Sequence, residues 1–308
     1  MLEPLETEMT PKNAPTWQAD IAIRLSHSKY GTRLSHCQHR GPLYIQKPFY
    51  PEGKHHAHLY LLHPPAGIVS GDTLTMNLHV DPNAAALMTT PGATVVYKAR
   101  KSNPTQRQII NLHIANNATL EWLPLETIVH NHACFEATTI INMVSSSHFF
   151  GWEITSLGLP ASDQRFTNGS FKQRYQIVVD GKNEFIDQMK IDDSNRHILL
   201  ASKAGMQNRM ISGFCVFGPV ATGNRSEGRH SDDQLERLRQ QQLEQQAQSN
   251  TDRNSDYQSS ITRLGNFYVG RYLGGSAEQA RKQFTLWWSV ARQEILGKEA
   301  CTPRIWAN

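Results

Sequence analysis

The sequence of 308 residues is short of the features that mark membrane, secreted and disulfide-stapled proteins. No apolar run approaches the roughly 20 residues that a membrane-spanning helix needs, and the mean hydropathy is -0.51. The N-terminus shows no secretory signal, and the four cysteines are far apart without a CxxC pair. We therefore expect no membrane span, a cytoplasmic location and reduced thiols.

An excess of charge of one sign and the common catalytic motifs are also missing. The 31 basic and 27 acidic residues leave a net charge of +4, which is too small to indicate nucleic-acid binding. The sequence has no phosphate-binding loop, no GxGxxG, no HExxH and no GxSxG. These absences argue against a P-loop ATPase, a nicotinamide enzyme, a zincin and an α/β-hydrolase, but they leave an unfamiliar site open.

What the sequence does have is a β pattern between residues 21 and 218. Apolar and polar residues alternate in segments 74–80 and 110–114 and, more loosely, in 175–179, which predicts strands with one buried face. Asp180-Gly181 predicts a hairpin that leads into residues 184–191. Because strands and helices do not alternate, we predict a mainly β fold with a few helices. Its stacked antiparallel or mixed sheets would form a β-sandwich or a solenoid-like arrangement.

The clearest helix lies near the C-terminus. Ser276 is a candidate N-cap with Gln279 three residues later, and apolar side chains then recur at helical spacing as far as Ile295. Gly297 is placed to end the helix in the left-handed conformation. We therefore predict a C-terminal amphipathic helix that lays an aromatic stripe on a sheet or on another helix.

Composition sets the domain boundaries. We interpret the polar, proline-bearing residues 1–16 as a flexible tail and residues 17–308 as a single β-rich domain. Residues 223–260 form a polar, Gln-rich insertion in that domain, and we predict a solvated helix or a disordered segment there. A helix that binds a partner is the alternative, since residues 234–248 contain three large apolar side chains, Leu235, Leu238 and Leu243.

Histidine is the one abundant reactive side chain, with 14 residues. His55, His56 and His58 form one cluster, and His130 and His132 form another. Residues two apart point to the same side of a strand, so either cluster could bind nickel or zinc through neutral imidazoles. We find no Cys, Asp or Glu close enough in sequence to complete the ligands, so a polar His-rich loop stays an alternative.

Three blocks of sequence go beyond a generic β protein. The first is LLHPPAGIVSGD (61–72) with LMTTPGAT (87–94), and the second is LEWLPLETI (120–128) with GWEI (151–154) and LGLPAS (157–162). The third runs from RYLG (271–274) to PRIW (303–306). In combination and order they resemble the UreD family of urease accessory proteins, also called UreH. The chain departs from that pattern at Leu125, at Leu159 and at His130-Asn131-His132-Ala133.

The resemblance implies a non-enzymatic maturation factor with a mostly β-stranded fold. Members of the family bind apo-urease and a helical partner, UreF, which recruits the nickel-carrying GTPase UreG. Their proposed role is to pass nickel through an internal water-filled channel to the urease active site. For this chain the resemblance implies nickel in transit, no tightly bound cofactor, and no nucleic-acid or membrane partner. The resemblance does not decide whether the chain forms a dimer within the accessory complex.

Acidic residues among apolar neighbours are the candidates for lining such a channel. Glu121, Glu126 and Glu153 each lie among large apolar side chains, where a carboxylate is costly unless it is paired or hydrated. Arginine partners or plain exposure are the structural alternatives. Asp72 follows Gly71 and could either bond a turn or border the channel. The candidate metal contacts are therefore Asp72, Glu126, Glu153, His130 and His132.

Two other functions stay open. A metalloenzyme of β-sandwich type could use either histidine cluster, and a simple metal buffer could do the same without turnover. Metal that stays bound through dialysis would favour these functions over a conduit, because hard oxygen ligands hold nickel less tightly than imidazole does.

Overall fold

A computed structural model describes residues 17–65, 67–102, 105–220, 233–241, 243–244 and 257–307. The predicted tail, residues 1–16, and much of the insertion lie outside these ranges. Within them strands dominate and helices are few, which confirms the predicted mainly β fold. No helix among the described residues combines the length and the apolar character needed to cross a bilayer.

Seven strands form the first sheet. Their bounds are β1 (Gln18–Ser28), β2 (Gly31–Arg40), β6 (Thr73–Val80), β9 (Thr105–Ile114), β12 (Cys134–Met143), β15 (Ser170–Val179) and β16 (Lys182–Ile191). They lie side by side in the order β16-β15-β12-β9-β6-β1-β2. The two edge pairs are antiparallel, whereas the four inner pairs are parallel.

Twelve strands form the second sheet, eight in one row and four beside it. In spatial order the row is β18 (Gln258–Leu264), β19 (Phe267–Gly274), β17 (Ile211–Gly218), β13 (His148–Leu159), β10 (Thr119–Trp122), β7 (Ala85–Thr89), β4 (His56–Leu62) and β3 (Tyr44–Ile45). The four short strands are β5 (Gly67–Ile68), β8 (Thr94–Val96), β11 (Thr127–Val129) and β14 (Gln164–Arg165).

The middle of the chain coils between the two sheets. Strands β6, β9, β12 and β15 belong to the first sheet, and the strands β7, β10 and β13 that come between them belong to the second. When the chain returns to a sheet, the new strand pairs in parallel with the preceding strand of that same sheet. This explains the absence of crossover helices from the pattern, because the opposite sheet itself provides the connection that a parallel pair requires.

The predicted hairpin and C-terminal helix are both confirmed. Asp180 and Gly181 have φ angles of 48° and 79°, as a two-residue turn between the antiparallel strands β15 and β16 requires. The Gln279 backbone N–H donates to Ser276 Oγ at 3.2 Å, and Gly297 ends the helix with φ 63°. The described helices and 3-10 turns are α1 (Arg196–Ala201), α2 (residues 233–241), α3 (Ala277–Leu296), Pro160–Ser162 and Arg304–Ala307.

The prediction of a solvated insertion is wrong for the helix α2 within it. Leu235 and Leu238 are buried in the core that α3 forms with the second sheet. The Trp287 indole N–H donates to the Leu238 carbonyl at 3.1 Å, and the Tyr268 hydroxyl donates to the Gln234 side chain at 2.8 Å. Two leucines on one face are enough to seat a short helix on an existing aromatic surface.

Two hydrophobic cores therefore lie on opposite faces of the second sheet. One lies between the two sheets, and the other lies between the second sheet and the helices α2 and α3. Trp152, Trp287 and Trp288 are fully buried in the second core. All four cysteines are free.

Candidate functional site

Two cavities lie between the sheets, where the facing side chains leave open space. The front cavity, of about 330 Å³, is bordered by β6, β9 and β12 of the first sheet and by β10 and β13 of the second. The rear cavity, of about 620 Å³, is bordered by β15 and β16 on one side and by β17, β18 and β19 on the other. The two cavities adjoin at three shared side chains, Glu153, Thr155 and Gln173.

Glu153 on β13 lies at this junction, and its carboxylate is held from the opposite sheet. Thr139 Oγ1 on β12 donates to Oε1 at 2.6 Å, and Gln173 Nε2 on β15 donates to Oε2 at 2.5 Å. Both donors are neutral. The carboxylate is therefore fixed in position by contacts that do not cancel its charge.

The environment of Glu153 raises the pKa of its carboxyl group to about 7. Burial is the main cause, and the hydrogen bonds from Thr139 and Gln173 oppose it by favouring the ionised form. The negative charge of Asp187, which lines the rear cavity, raises the pKa further. At neutral pH the group populates both forms, so it can release a proton when a cation approaches and regain it when the cation leaves.

The remaining polar lining of the front cavity consists mainly of oxygen and amide groups. Its hydroxyl and amide side chains are Thr90, Thr94, Thr127, Thr139, Thr155, Gln108 and Gln173, and His63 supplies an imidazole. The Trp122 side chain also borders this cavity, but its indole nitrogen is buried and makes no hydrogen bond to the described residues. These polar groups can bond water, although apolar side chains form the larger part of the lining of the front cavity.

Asp72 is buried, and its carboxylate holds a turn. Oδ2 accepts from the Val69 backbone N–H at 3.0 Å, and Oδ1 accepts from the Trp17 backbone N–H at 3.2 Å. Burial lowers the pKa of His63 in the front cavity, and the charge of Asp72 partly offsets that effect. Asp72 is not among the described residues that line either cavity. Its role as a nickel contact stays a prediction.

Glu126 lies next to the front cavity along the chain. Its neighbours Leu125 and Thr127 both line that cavity, and its backbone carbonyl accepts from the Thr94 N–H at 2.9 Å. The Glu126 side chain is partly buried. It is not one of the described lining residues, so its contact with nickel also stays a prediction.

His130 and His132 lie in a connection ahead of β12 and not within a strand. His132 is exposed with φ 68°, and the His130 ring meets the Tyr97 ring edge-on with 5.4 Å between centroids. His130 and His132 therefore do not share one face of a strand, and that part of the prediction is wrong. Among the described residues they join no group of three metal-ligating side chains, and their metal role stays a prediction.

Glu121 on β10 belongs to the other face of the second sheet. Both of its carboxylate oxygens accept from Arg292 Nε at 3.1 Å, and Oε2 also accepts from Trp288 Nε1 at 2.5 Å. Burial opposes ionisation, but His56 and Arg292 outweigh it and lower the pKa of Glu121. An arginine partner thus explains this buried glutamate, and Glu121 lines neither cavity among the described residues.

Arg292 extends the network to Glu52 and to two of the predicted histidines. Arg292 Nη2 lies 2.5 Å from Glu52 Oε2, and His58 Nε2 lies 2.7 Å from Glu52 Oε1. Glu52, His56 and His58 each offer a ligand atom within 4.8 Å of the others, whereas His55 is exposed. Burial raises the pKa of Glu52, but this effect is outweighed by His58, His56 and Arg292. Together they lower the pKa of Glu52 to about 2.

The prediction that no acidic residue lies near enough to join these histidines is wrong. Glu52 precedes His56 by four residues, and the turn at residues 50–53 folds it back towards β4. Gly53 has φ 87° in that turn. The Pro-Glu-Gly sequence at 51–53 was the signal that could have revealed this reversal.

Known proteins resemble the chain along almost its whole length. A family model described as UreD urease accessory protein matches residues 18–307. Urease accessory protein UreD of Marinomonas sp. (strain MWYL1) is 39% identical over 305 residues, or 99% of this chain and 94% of the relative. The UreD protein of Psychromonas ingrahamii is 37% identical over 96% of this chain and 95% of the relative. The UreD protein of Escherichia coli is 35% identical over 95% of this chain and 97% of the relative.

Proposed function

The chain belongs to the UreD family of urease accessory proteins, and from that premise we propose that it delivers nickel to apo-urease through a passage formed by the front and rear cavities. Membership in this family makes the chain a factor in urease maturation. Its relatives are named for that accessory role and not for a reaction that they catalyse. In this proposal nickel is the cargo, so the chain must bind it loosely enough to let it leave.

The position of Glu153 carries the proposal. An ion that moves from one cavity to the other passes the side chains that both cavities share, and Glu153 is the charged one among them. A divalent cation favours the carboxylate form and displaces the proton that burial helps to retain. Carboxylate and hydroxyl oxygens bind nickel more weakly than thiolate or imidazole, so the ion is not trapped there.

Water is the second requirement for such a passage. Nickel moves most easily if it keeps part of its hydration shell, because stripping a divalent cation in an apolar interior is very costly. The threonine and glutamine side chains of the front cavity can bond water. This lining supports transport of a partly hydrated ion.

The proposal includes the partners that the family resemblance implies. Apo-urease would receive the ion, and a UreF-like helical protein would connect the chain to a UreG-like GTPase that supplies it. We place this exchange in the cytoplasm. No resident cofactor is required, because the chain contributes a route and docking surfaces and not a catalysed bond change.

The test compares two glutamates in a urease activation assay with limiting nickel. Glu153→Gln removes the charge at the junction and keeps the shape of the side chain. Glu136→Gln is the matched control, because Glu136 is an exposed carboxylate on β12 that pairs with Arg107 away from the cavities. Urease nickel content is measured by mass spectrometry of the metal, and co-purification with urease and the UreF-like partner is measured in parallel.

We expect Glu153→Gln to lower urease nickel content several-fold while the complex stays intact, and Glu136→Gln to change neither. Normal nickel content with Glu153→Gln would remove Glu153 from the passage. Failure of the wild-type chain to co-purify with either partner would contradict the maturation complex itself. Glu126→Gln in the same assay tests the second predicted contact, with a smaller decrease expected.

A further inference from the structure

A cluster outside the passage has the composition of a metal site. Glu52, His56 and His58 bring one ligand atom each to within 4.8 Å of the others. His56 and His58 are both 1% exposed, and the Glu52 side chain is 13% exposed. We propose that this cluster binds one divalent transition-metal ion of the zinc or nickel type, through two imidazole nitrogens and one carboxylate oxygen.

The backbone fixes the three ligands before any ion arrives. His56 and His58 are two apart on β4, so their side chains leave the same face of the strand. Phe49 pairs with His58 through two backbone hydrogen bonds of 2.9 and 2.8 Å, and the turn that follows Phe49 carries Glu52. Metal–ligand distances of about 2.0–2.3 Å place ligand atoms roughly 3.3–4 Å apart. Small side-chain rotations from the observed arrangement reach that geometry.

His56 supplies an independent observation that points to a ligand. Neither of its ring nitrogens makes a hydrogen bond to the described residues, although the side chain is almost fully buried. Its Nε2 lies within ion-pair distance of Glu121 Oε1, at 2.9 Å, so Nδ1 is the ring nitrogen that has neither a hydrogen bond nor an ion pair among the described residues. Buried polar atoms nearly always have a partner, and the lone pair of a neutral imidazole can find one in a metal ion.

The surrounding charges also favour a cation. The two carboxylates of Glu52 and Glu121 face one guanidinium group, that of Arg292, so with neutral imidazoles the buried group keeps one uncompensated negative charge. Such a charge is costly in a protein interior. A divalent ion with an anionic fourth ligand would compensate it, and so would a proton on one imidazole. The experiment must therefore distinguish a metal ion from a proton.

Arg292 and a neighbouring pocket complete the description of the site. Arg292 bonds Oε2 of Glu52 and leaves Oε1 directed at the histidines, as a residue that orients a metal ligand does. A pocket of about 470 Å³, lined by His58, Tyr60 and Arg304 among others, opens beside the cluster. Three protein ligands and access for a fourth are typical of a site that exchanges ligands, and not of a closed structural one.

The test titrates the metal-free full-length chain with Co²⁺ and then with Zn²⁺. We expect one equivalent of Co²⁺ to produce a visible ligand-field spectrum that Zn²⁺ abolishes. We expect His56→Ala to weaken Co²⁺ binding at least tenfold. His55→Ala is the matched control, because His55 is the exposed neighbour outside the cluster, and it should leave the affinity unchanged.

A measurement on the wild-type chain keeps the proposal testable if His56→Ala does not fold. X-ray absorption of the Zn²⁺-loaded chain should show two imidazole nitrogens and at least one carboxylate oxygen bound to zinc. Absence of a Co²⁺ spectrum, a zinc shell without imidazole, or equal binding by folded His56→Ala would each overturn the proposal. Glu153→Gln should keep the Co²⁺ spectrum, so failure of the nickel passage and failure of this site are distinguishable.

Discussion

Glu121 and Glu153 lie on neighbouring strands of the second sheet, β10 and β13, and their carboxyl groups behave in opposite ways. Glu121 faces His56 of β4 and Arg292 of α3, and these two residues lower its pKa. Glu153 faces Thr139 and Gln173 of the first sheet, and its pKa is raised to about 7. Glu121 is fully buried and Glu153 is partly exposed, yet Glu121 has the lower pKa, so burial alone does not decide their charge.

The difference comes from the charge of the partners. Direct attraction to a guanidinium group offsets the free-energy cost of removing a carboxylate from water, whereas hydrogen bonds from neutral donors offset that cost only in part. The contact of Glu121 with Arg292 is therefore a permanent link between α3 and the sheet. The Glu153 carboxyl group can change its protonation and respond to a passing cation. One sheet thus carries a stabilising contact on one face and an adaptable site on the other.

Removing the cation should have the largest effect. Arg292→Met leaves the carboxylates of Glu121 and Glu52 buried without their guanidinium partner, and we expect a loss of about 3–5 kcal/mol in the free energy of unfolding. Urea denaturation followed by circular dichroism measures it. Lys282→Met removes an exposed partner of Glu278 on the same helix and should cost less than about 0.5 kcal/mol. Equal losses in the two variants would contradict the account.

Packing should differ between the two faces in a measurable way. Leu238→Ala opens a hole in the filled core beside Trp287, and we expect it to lower the free energy of unfolding by about 3 kcal/mol. Leu125→Ala removes a side chain that already borders the front cavity, so its cost should be nearer to about 1 kcal/mol. Similar costs in thermal or urea unfolding would show that the space between the sheets is as tightly filled as the helix core.

The pH dependence of stability tests the raised pKa of Glu153 in metal-free buffer. Below its ordinary pKa of 4.5, the Glu153 carboxyl group is protonated in both the folded and the unfolded chain. Between pH 4.5 and about 7 the folded chain still retains this proton, whereas the unfolded chain has lost it. The contribution of Glu153 to the stability of the wild-type chain therefore falls as the pH rises from 4.5 to 7. Glu153→Gln lacks this loss, so it should exceed wild type by about 2 kcal/mol at pH 8, after allowance for partial exposure.

The same urea titration at pH 4 gives the control for Glu153→Gln, because both chains then carry a neutral side chain at residue 153 and should be equally stable. A constant difference between the two chains at all pH values would show that Glu153 does not titrate near neutrality in the folded chain.

The smallest expected effect concerns the start of α3, far along the helix from Arg292. Ser276→Ala removes the acceptor for the Gln279 N–H and should cost about 1 kcal/mol. Ser289→Ala is a control within the helix, because the Ser289 hydroxyl bonds the Leu286 carbonyl and caps no free N–H group. If Ser276→Ala lowers the free energy of unfolding as much as Arg292→Met does, the N-cap and not the buried ion pair is the main contact that stabilises α3.

Local patterns in the sequence predicted the elements that depend on local physics. The alternation of residues 74–80 corresponds to β6, the Asp180-Gly181 turn joins β15 to β16, and the Ser276 cap begins α3. Each of these depends on neighbours within a few residues. Parallel pairing between strands that are separated in sequence by a strand of the other sheet carries no such local signal. The sequence could therefore not distinguish a β-sandwich from a solenoid-like arrangement.

The candidate site was less predictable for the same reason. Glu121 and Glu153 have similar apolar neighbours in sequence, and only the fold assigns Arg292 to one and Thr139 and Gln173 to the other. The partner Arg292 is 171 residues away from Glu121. Burial of α2 also depends on an aromatic surface formed by distant residues, and its composition alone indicated solvent.

A tryptophan at the edge of the front cavity tests the proposed passage most directly. Gly92 lines that cavity, and a Cβ atom added there meets nothing within 4 Å. Gly275 has the same freedom but lines neither of the two cavities, so Gly275→Trp is the matched control. We expect Gly92→Trp to retain its binding to urease but to lower urease nickel content several-fold, and we expect Gly275→Trp to activate urease normally. Full nickel content with Gly92→Trp in an intact complex would contradict the proposed passage.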